Sequence, residues 1–148
     1  MSYMTPELPP ITLNTVDAER LLRLADIARR RFPNTAEFLS REVERANVVS
    51  PSQILPGVAA MGSEVEFRDD TTGQVRRVTL AYPHEADLDA GRISVLTPIG
   101  AALIGLSVSQ SIEWETPLGE RRSLTVLRVK PGPAAEATSP AVAKPANA

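Results

Sequence analysis

Residues 93–108 read ISVLTPIGAALIGLSV, and this stretch decides how the second half of the chain folds. Thr97 offers a hydroxyl that can cap a helix, Pro98 suits the first helical position, and Gly105 suits a helix C-terminus. The pattern therefore predicts one short helix between extended segments.

On both sides of this helix the apolar residues recur with a period of two, which is typical of β-strands. Turn-forming residues separate the alternating segments, as at 69–73 and 117–120. The predicted strands cover residues 58–61, 65–67, 75–81, 93–96, 111–114 and 123–129.

Residues 15–47 follow a period of 3.6 instead and predict two short antiparallel helices, a coiled-coil hairpin. Asn14 and Thr15 offer N-cap oxygens for the first helix. Its apolar stripe combines leucine at 21 and 24 with alanine at 25 and 28. Helices of this length are not stable alone, so they must pack on each other and on the domain that follows.

The turn of the hairpin forms a predicted tip. Pro33 disfavours helical geometry at the residue before it, so the first helix should end near Arg31. Asn34 followed by Glu37 has the spacing of a capping box, which predicts that Asn34 caps the second helix. Arg29, Arg30 and Arg31 either complement the helix dipole or contact an acidic partner surface.

The predicted fold class is α+β. The helical hairpin covers residues 12–47, and a β-rich domain with one short helix covers residues 48–130. The tail, residues 131–148, consists almost entirely of Pro, Ala and small polar residues, and we expect it to be disordered.

Composition excludes several classes of protein. The chain has no cysteine, one histidine and a net charge of −2, so disulfides, thiolate chemistry, histidine-rich metal sites and a global attraction to nucleic acid are absent. Residues 1–10 have neither a basic region nor an apolar core, so we expect them not to be a secretory signal, and no apolar run approaches the roughly 20 residues needed to span a bilayer. We expect a cytoplasmic protein without a cofactor, a metal site or a small-molecule substrate.

Two candidate chemical sites are better explained by local structure. His84 lies in the sequence PHEAD without evident partners, which indicates an exposed loop. Asp69 and Asp70 precede Thr-Thr-Gly, which is turn chemistry. No nucleophile elbow or phosphate-binding loop is present, so the sequence predicts a protein that is not an enzyme.

The stretch 93–108, together with IEWETPLG at 112–119, resembles the C-terminal domain of the Gre transcript-cleavage factors, which has an FKBP-like fold. AMGSEVEFR at 60–68, VTLAYP at 78–83, DAERL at 17–21 and Ser50-Pro51 are closer to one branch of that family, the regulators of nucleoside diphosphate kinase. The resemblance covers about residues 12–130. The chain departs from the family at Val108-Ser109-Gln110, where a glycine-containing turn is usual, and this puts the geometry of the turn in question.

The resemblance implies binding to bacterial RNA polymerase at its secondary channel. The docking surface would include Leu96, Thr97, Pro98 and Ile99. In the Gre factors a long hairpin carries two acidic residues to the catalytic magnesium of the polymerase. Those positions correspond here to Arg31 and Asn34, neither of which is a carboxylate. The resemblance therefore implies channel occupancy without transcript cleavage.

Two other functions remain open at this point. The FKBP-like fold suggests a prolyl isomerase or chaperone, although such pockets need several aromatic side chains. An active cleavage factor is the other, and the tip argues against it. DNA binding stays open as an associated property, but we expect no direct nucleic-acid contact. The oligomeric state is undetermined, with a monomer as the starting assumption.

Overall fold

A computed structural model describes residues 9–115 and 118–132. The tail that the sequence predicts to be disordered falls, from residue 133 onward, outside the described residues. The helices are α1 (Thr15–Ala28), α2 (Pro33–Arg45) and α3 (Pro98–Leu103). The strands are β1 (Thr12–Asn14), β2 (Asn47–Val49), β3 (Glu64–Asp69), β4 (Val75–Ala81), β5 (Arg92–Ser94), β6 (Ser111–Glu115) and β7 (Arg121–Lys130).

The helical hairpin is present, and its first helix begins as predicted. The Asn14 side chain accepts a hydrogen bond from the Asp17 amide at 2.7 Å, which caps α1. Leu21, Ala25 and Ala28 are buried on one face of the helix. The helix ends at Ala28, three residues before the predicted end, and the amide of Phe32 donates to the Ala28 carbonyl at 2.8 Å.

The predicted capping box of α2 is wrong. Phe32 occupies the N-cap position without a side-chain cap bond, and Pro33 is the first helical residue. Because Pro33 has no amide hydrogen and its φ suits this position, the helix can start before Asn34. Glu37 does not cap the helix and instead forms ion pairs with Arg29 at 3.4 Å and Arg41 at 2.9 Å.

The first and last residues of the hairpin meet in a short parallel pair that the sequence did not predict. Strand β1 pairs with β2, and Leu13 lies opposite Val48. Because β1 enters α1 and β2 leaves α2, this pair closes the base of the hairpin. Each strand has only three residues, too few for an alternating pattern to reveal it.

A five-stranded sheet forms the second half, in the order β5-β4-β3-β7-β6. All neighbours are antiparallel except β4 and β5, which are parallel. Residues 58–61, predicted as a strand, contribute only an isolated bridge between Val58 and Ser107. The strand predicted at 93–96 occupies Arg92–Ser94, because residues 95–97 turn into α3.

One hydrophobic core connects the hairpin with the inner face of the sheet. Val65 and Phe67 of β3, Leu80 of β4 and Leu124 of β7 are almost fully buried in it. Buried residues of α1, α2 and α3 belong to the same cluster. The opposite face of the sheet carries charged residues, among them Glu66 beside Arg77 and Arg128.

The turn between α3 and β6 explains the departure at Ser109. Ser109 has φ of 78°, the left-handed conformation that glycine adopts most readily. Its amide donates to the Val126 carbonyl at 2.8 Å, and the Gln110 amide donates to Ser107 at 3.0 Å. The turn therefore has the backbone conformation of a glycine turn, and this conformation is strained for serine.

We expect Ser109→Gly to raise the free energy of unfolding by about 0.5–1 kcal/mol, because the left-handed backbone costs a residue with a Cβ roughly 1–2 kcal/mol and glycine's greater unfolded-state entropy offsets part of that gain. Urea denaturation measures the change. Ser40→Gly, in the interior of α2, is the matched control and should destabilise the chain. Loss of stability in Ser109→Gly would contradict the assigned backbone conformation.

Candidate functional site

The candidate docking segment, Leu96–Ile99, is the entrance to α3, and hydrogen bonds fix its shape. The Thr97 hydroxyl accepts from the Gly100 amide at 3.1 Å and donates to the Ser94 carbonyl at 2.7 Å. The Ser94 hydroxyl accepts from the Leu96 amide at 3.0 Å. Thr97 thus caps the helix as predicted, with Pro98 at the first helical position.

Gly100 holds this entrance close to the preceding strand. A Cβ at position 100 would lie 2.3 Å from the Ser94 carbonyl oxygen, far inside van der Waals contact. Thr97 is exposed, whereas Leu96, Pro98 and Ile99 are half-buried, and Leu96 and Ile99 pack on the core. The segment therefore presents a fixed surface and cannot change shape freely.

A groove of about 400 Å³ lies beside the docking segment. Thr97, Pro98 and Ile99 contribute to its lining. The other lining residues come from β3, β4, β5 and β7: Phe67, Asp69, Arg76, Ile93 and Arg122. No hairpin residue is among the described residues that line it.

The groove combines an apolar floor with positively charged walls. Phe67 and Ile93 are buried, and the Arg76 guanidinium lies 5.9 Å from the centre of the Phe67 ring. Arg122 pairs with Asp69 at 2.5 Å, and its buried Nε has no hydrogen-bond partner in the described part of the chain. Because Arg122 neutralises Asp69, Arg76 leaves the groove with a net positive charge.

The charge on Asp69 is stabilised by its neighbours. Partial burial acts to raise the pKa of Asp69, but the Thr71 amide and the Arg122 guanidinium outweigh it, and the pKa is lowered. Asp70 behaves in the same way, because Thr125, Arg68 and Ser123 outweigh its desolvation and lower its pKa. Both carboxylates are structural anions of the turn, as the sequence indicates.

The hairpin tip is exposed and carries no carboxylate at the two positions where the Gre resemblance places them. Arg30, Arg31 and Asn34 are all exposed. Arg29 pairs with Asp26 at 3.9 Å as well as with Glu37. Within residues 9–115 and 118–132, no cluster of three His, Cys, Asp or Glu residues could hold a metal ion. His84 is exposed in a short helical turn, as expected.

A buried carboxylate joins the hairpin to the segment that precedes β3, and the sequence did not indicate it. Asp17 Oδ2 accepts hydrogen bonds from the Met61 amide and from Asn14 Nδ2, both at 3.2 Å. Burial raises the pKa of Asp17, and these hydrogen bonds only partly oppose it. The carboxyl therefore anchors the first turn of α1 on residue 61.

Tyr82 lies at the same junction. Its ring is 5.9 Å from the Arg20 guanidinium, and its hydroxyl is buried close to Asp17 and Arg20. Burial, and then the negative charge of Asp17, raise the pKa of Tyr82 to about 12. Tyr82 therefore stays neutral at physiological pH. We interpret the contact of α1 with residues 61 and 82 as structural.

Comparison with known proteins matches both halves of the chain. The family described as "Transcription elongation factor, GreA/GreB, C-term" matches residues 54–131, and "Rnk N-terminus" matches residues 9–49. The chain is 40% identical over 128 residues to the regulator of nucleoside diphosphate kinase of Escherichia coli (strain K12), which covers 86% of this chain and 93% of that protein.

More distant relatives are elongation factors. The chain is 38% identical over 92 residues to the transcription elongation factor GreA of Syntrophobacter fumaroxidans, or 62% of this chain and 58% of that protein. The solved structure of a GreA/GreB elongation factor from Nitrosomonas europaea superposes with a TM-score of 0.66 at 36% identity, and the match covers 83% of this chain and 99% of that one. These relatives are named regulators or elongation factors, not enzymes. No helix in the described part of the chain is long and apolar enough to cross a membrane.

We expect the stability of the native chain, relative to Asp17→Asn, to increase as the pH falls from 7 towards 4. Because the folded-state pKa is raised, the folded chain binds more protons than the unfolded chain above the ordinary value of 3.8, and acidification favours it. The slope is at most about 1.4 kcal/mol per pH unit, the limit for one proton. Urea denaturation of both proteins at several pH values measures the difference, in which all other titrating groups cancel. A difference that decreases on acidification would contradict the burial of the charged carboxylate.

Proposed function

This chain belongs to the GreA/GreB transcription factor family, in the branch of the regulators of nucleoside diphosphate kinase, and we propose that it binds bacterial RNA polymerase in the cytoplasm. In this proposal it occupies the region of the secondary channel, competes with other factors that bind there, and does not stimulate transcript cleavage. It works by occupying a site and needs neither a cofactor nor a small-molecule substrate.

The observation that carries the docking half of the proposal is the fixed shape of Leu96–Ile99. The Gre resemblance assigns docking to this segment, and here Thr97 and Gly100 hold it rigid beside a groove with an apolar floor. A preformed surface loses little conformational entropy on binding. Arg76 and the half-buried Pro98 and Ile99 provide the charged and apolar contacts that protein interfaces favour.

The domain division supports a separation of roles. The two family matches meet near residue 50, where the hairpin ends and the β-rich part begins. We propose that residues 48–130 dock on the polymerase while the hairpin, residues 12–47, extends from the docked domain. The FKBP-like assignment of the docking domain stays a prediction.

The non-cleaving half of the proposal follows from charge and length. Cleavage needs a carboxylate near the catalytic magnesium, since that hard cation takes oxygen ligands. Arg31 and Asn34 stand at the corresponding positions. Helix α1 has 14 residues and is therefore about 21 Å long at 1.5 Å per residue. The match to GreA spans 58% of that protein, so the similarity to GreA covers only part of its length.

Isomerase activity finds no support at the groove. A prolyl isomerase pocket of the FKBP type needs several aromatic side chains, and Phe67 is the aromatic residue among those described as lining the groove. Phe67 is itself almost fully buried. A shared fold alone would not carry the activity.

We expect Arg76→Glu to weaken binding to purified polymerase core about tenfold, because it reverses the charge at the groove. Arg77→Glu is the matched control, since it makes the same charge change one residue along β4, on the opposite face of the sheet. Fluorescence anisotropy of the labelled chain measures binding, and thermal melting confirms that both variants fold. Equal affinity for the two variants would place the contact elsewhere.

The native chain should release no short RNA from a backtracked elongation complex, and neither should the double variant Arg31→Asp, Asn34→Glu. The variant supplies the missing carboxylates, but the short hairpin holds them away from the metal. A GreA protein in the same assay is the positive control. Cleavage by the native chain would exclude the proposed function, whereas cleavage by the variant alone would show that chemistry and not length is limiting.

A further inference from the structure

A second exposed surface lies at the end of α1 and in the turn after it. We call it the tip face and define it as Ile27, Arg30, Arg31 and Phe32. Ile27 is 78% exposed and Phe32 is 45% exposed, although both are large apolar residues. Neither side chain belongs to the buried core, so packing within the chain does not explain why apolar residues occupy these positions.

The charge of the tip face is not balanced locally. Between residues 27 and 34 there are three arginines and no acid. The nearest acids, Asp26 and Glu37, both lie beside Arg29 and compensate that residue. Arg30 and Arg31 have no ion-pair partner among residues 9–115 and 118–132, so their charge is available to a partner.

The combination of these side chains favours a protein partner. Single exposed apolar residues are common on surfaces, but exposed apolar anchors flanked by uncompensated arginines match the centre of protein interfaces, where aromatic residues and arginine are enriched. An isoleucine gains nothing from a phosphate backbone. The Arg31 guanidinium lies 5.7 Å from the centre of the Phe32 ring, so one face of that ring is not free to stack on a base.

We propose that the tip face binds an acidic protein segment that presents an apolar pocket for Ile27, and that RNA polymerase carries this segment. The inference rests on the proposed function and adds a second contact to it. Arg30 and Arg31 pair with carboxylates of the partner, and Ile27 is the apolar anchor between them. A tip that coordinates a metal needs carboxylates, whereas the arginines of this tip favour contact with an anionic surface.

The test measures binding of the labelled, full-length chain to purified polymerase core at several salt concentrations. Ile27→Ser should weaken binding about fivefold to tenfold, and Leu22→Ser, also on α1 and 42% exposed, is its matched control and should not weaken it. Arg30→Glu with Arg31→Glu should weaken binding at least tenfold and reduce its salt dependence. Arg30→Lys with Arg31→Lys keeps the charge and should retain most of the affinity.

The possible failures are distinguishable. If the native chain does not bind the core, the proposed function is wrong and this inference falls with it. Suppose that the native chain binds the core and that Ile27→Ser and the double glutamate variant bind it as tightly as the native chain does. The tip face is then not a contact surface, and the proposed function stands. If a single-stranded RNA oligonucleotide binds the native chain, and the glutamate variant alone loses that binding, the partner is nucleic acid and the inference is overturned.

Discussion

Strand β1 passes so close to the end of α3 that position 105 must be a glycine. A Cβ there would lie 2.9 Å from the Cβ of Ile11, and Gly105 has φ of +82°. The Thr12 amide donates to the Gly105 carbonyl at 3.1 Å, and the Gly105 amide donates to Ala59 at 2.8 Å. This contact joins the start of the hairpin to the end of the short helix. Because both proposed binding surfaces are attached to it, their relative position depends on this approach.

Local patterns in the sequence account for the elements that local chemistry determines. Thr97 and Pro98 start α3 because capping and a fixed φ act within one helical turn. The strand predicted at 75–81 is found as β4, because an alternating segment has a face to bury. The capping box failed for a local reason too, since α2 begins at Pro33, two residues earlier than a cap at Asn34 would allow.

Contacts between residues far apart in sequence could not be predicted in this way. Asp17 looks like an ordinary first-turn acid, and its role depends on the Met61 amide, 44 residues away. Glu42 lies on α2 and is 1% exposed, paired with Arg45 at 2.7 Å, whose guanidinium also donates to the Pro9 carbonyl. The groove also depends on residues that are far apart in sequence. The resemblance identified Leu96–Ile99, but Arg76 and Arg122 come from other strands and reach the groove only in the folded sheet.

The proposed function separates docking from chemistry: it assigns docking to the sheet domain and no cleavage to the hairpin, which has no carboxylate at positions 31 and 34. Its central claim is that the chain occupies the same polymerase surface as a Gre factor. Equilibrium competition measures this most directly, with the labelled chain bound to polymerase core and unlabelled GreA added in increasing amounts. The account predicts full displacement, with an apparent dissociation constant of the chain that rises linearly with GreA concentration. A ternary complex that holds both proteins at saturating GreA would contradict it.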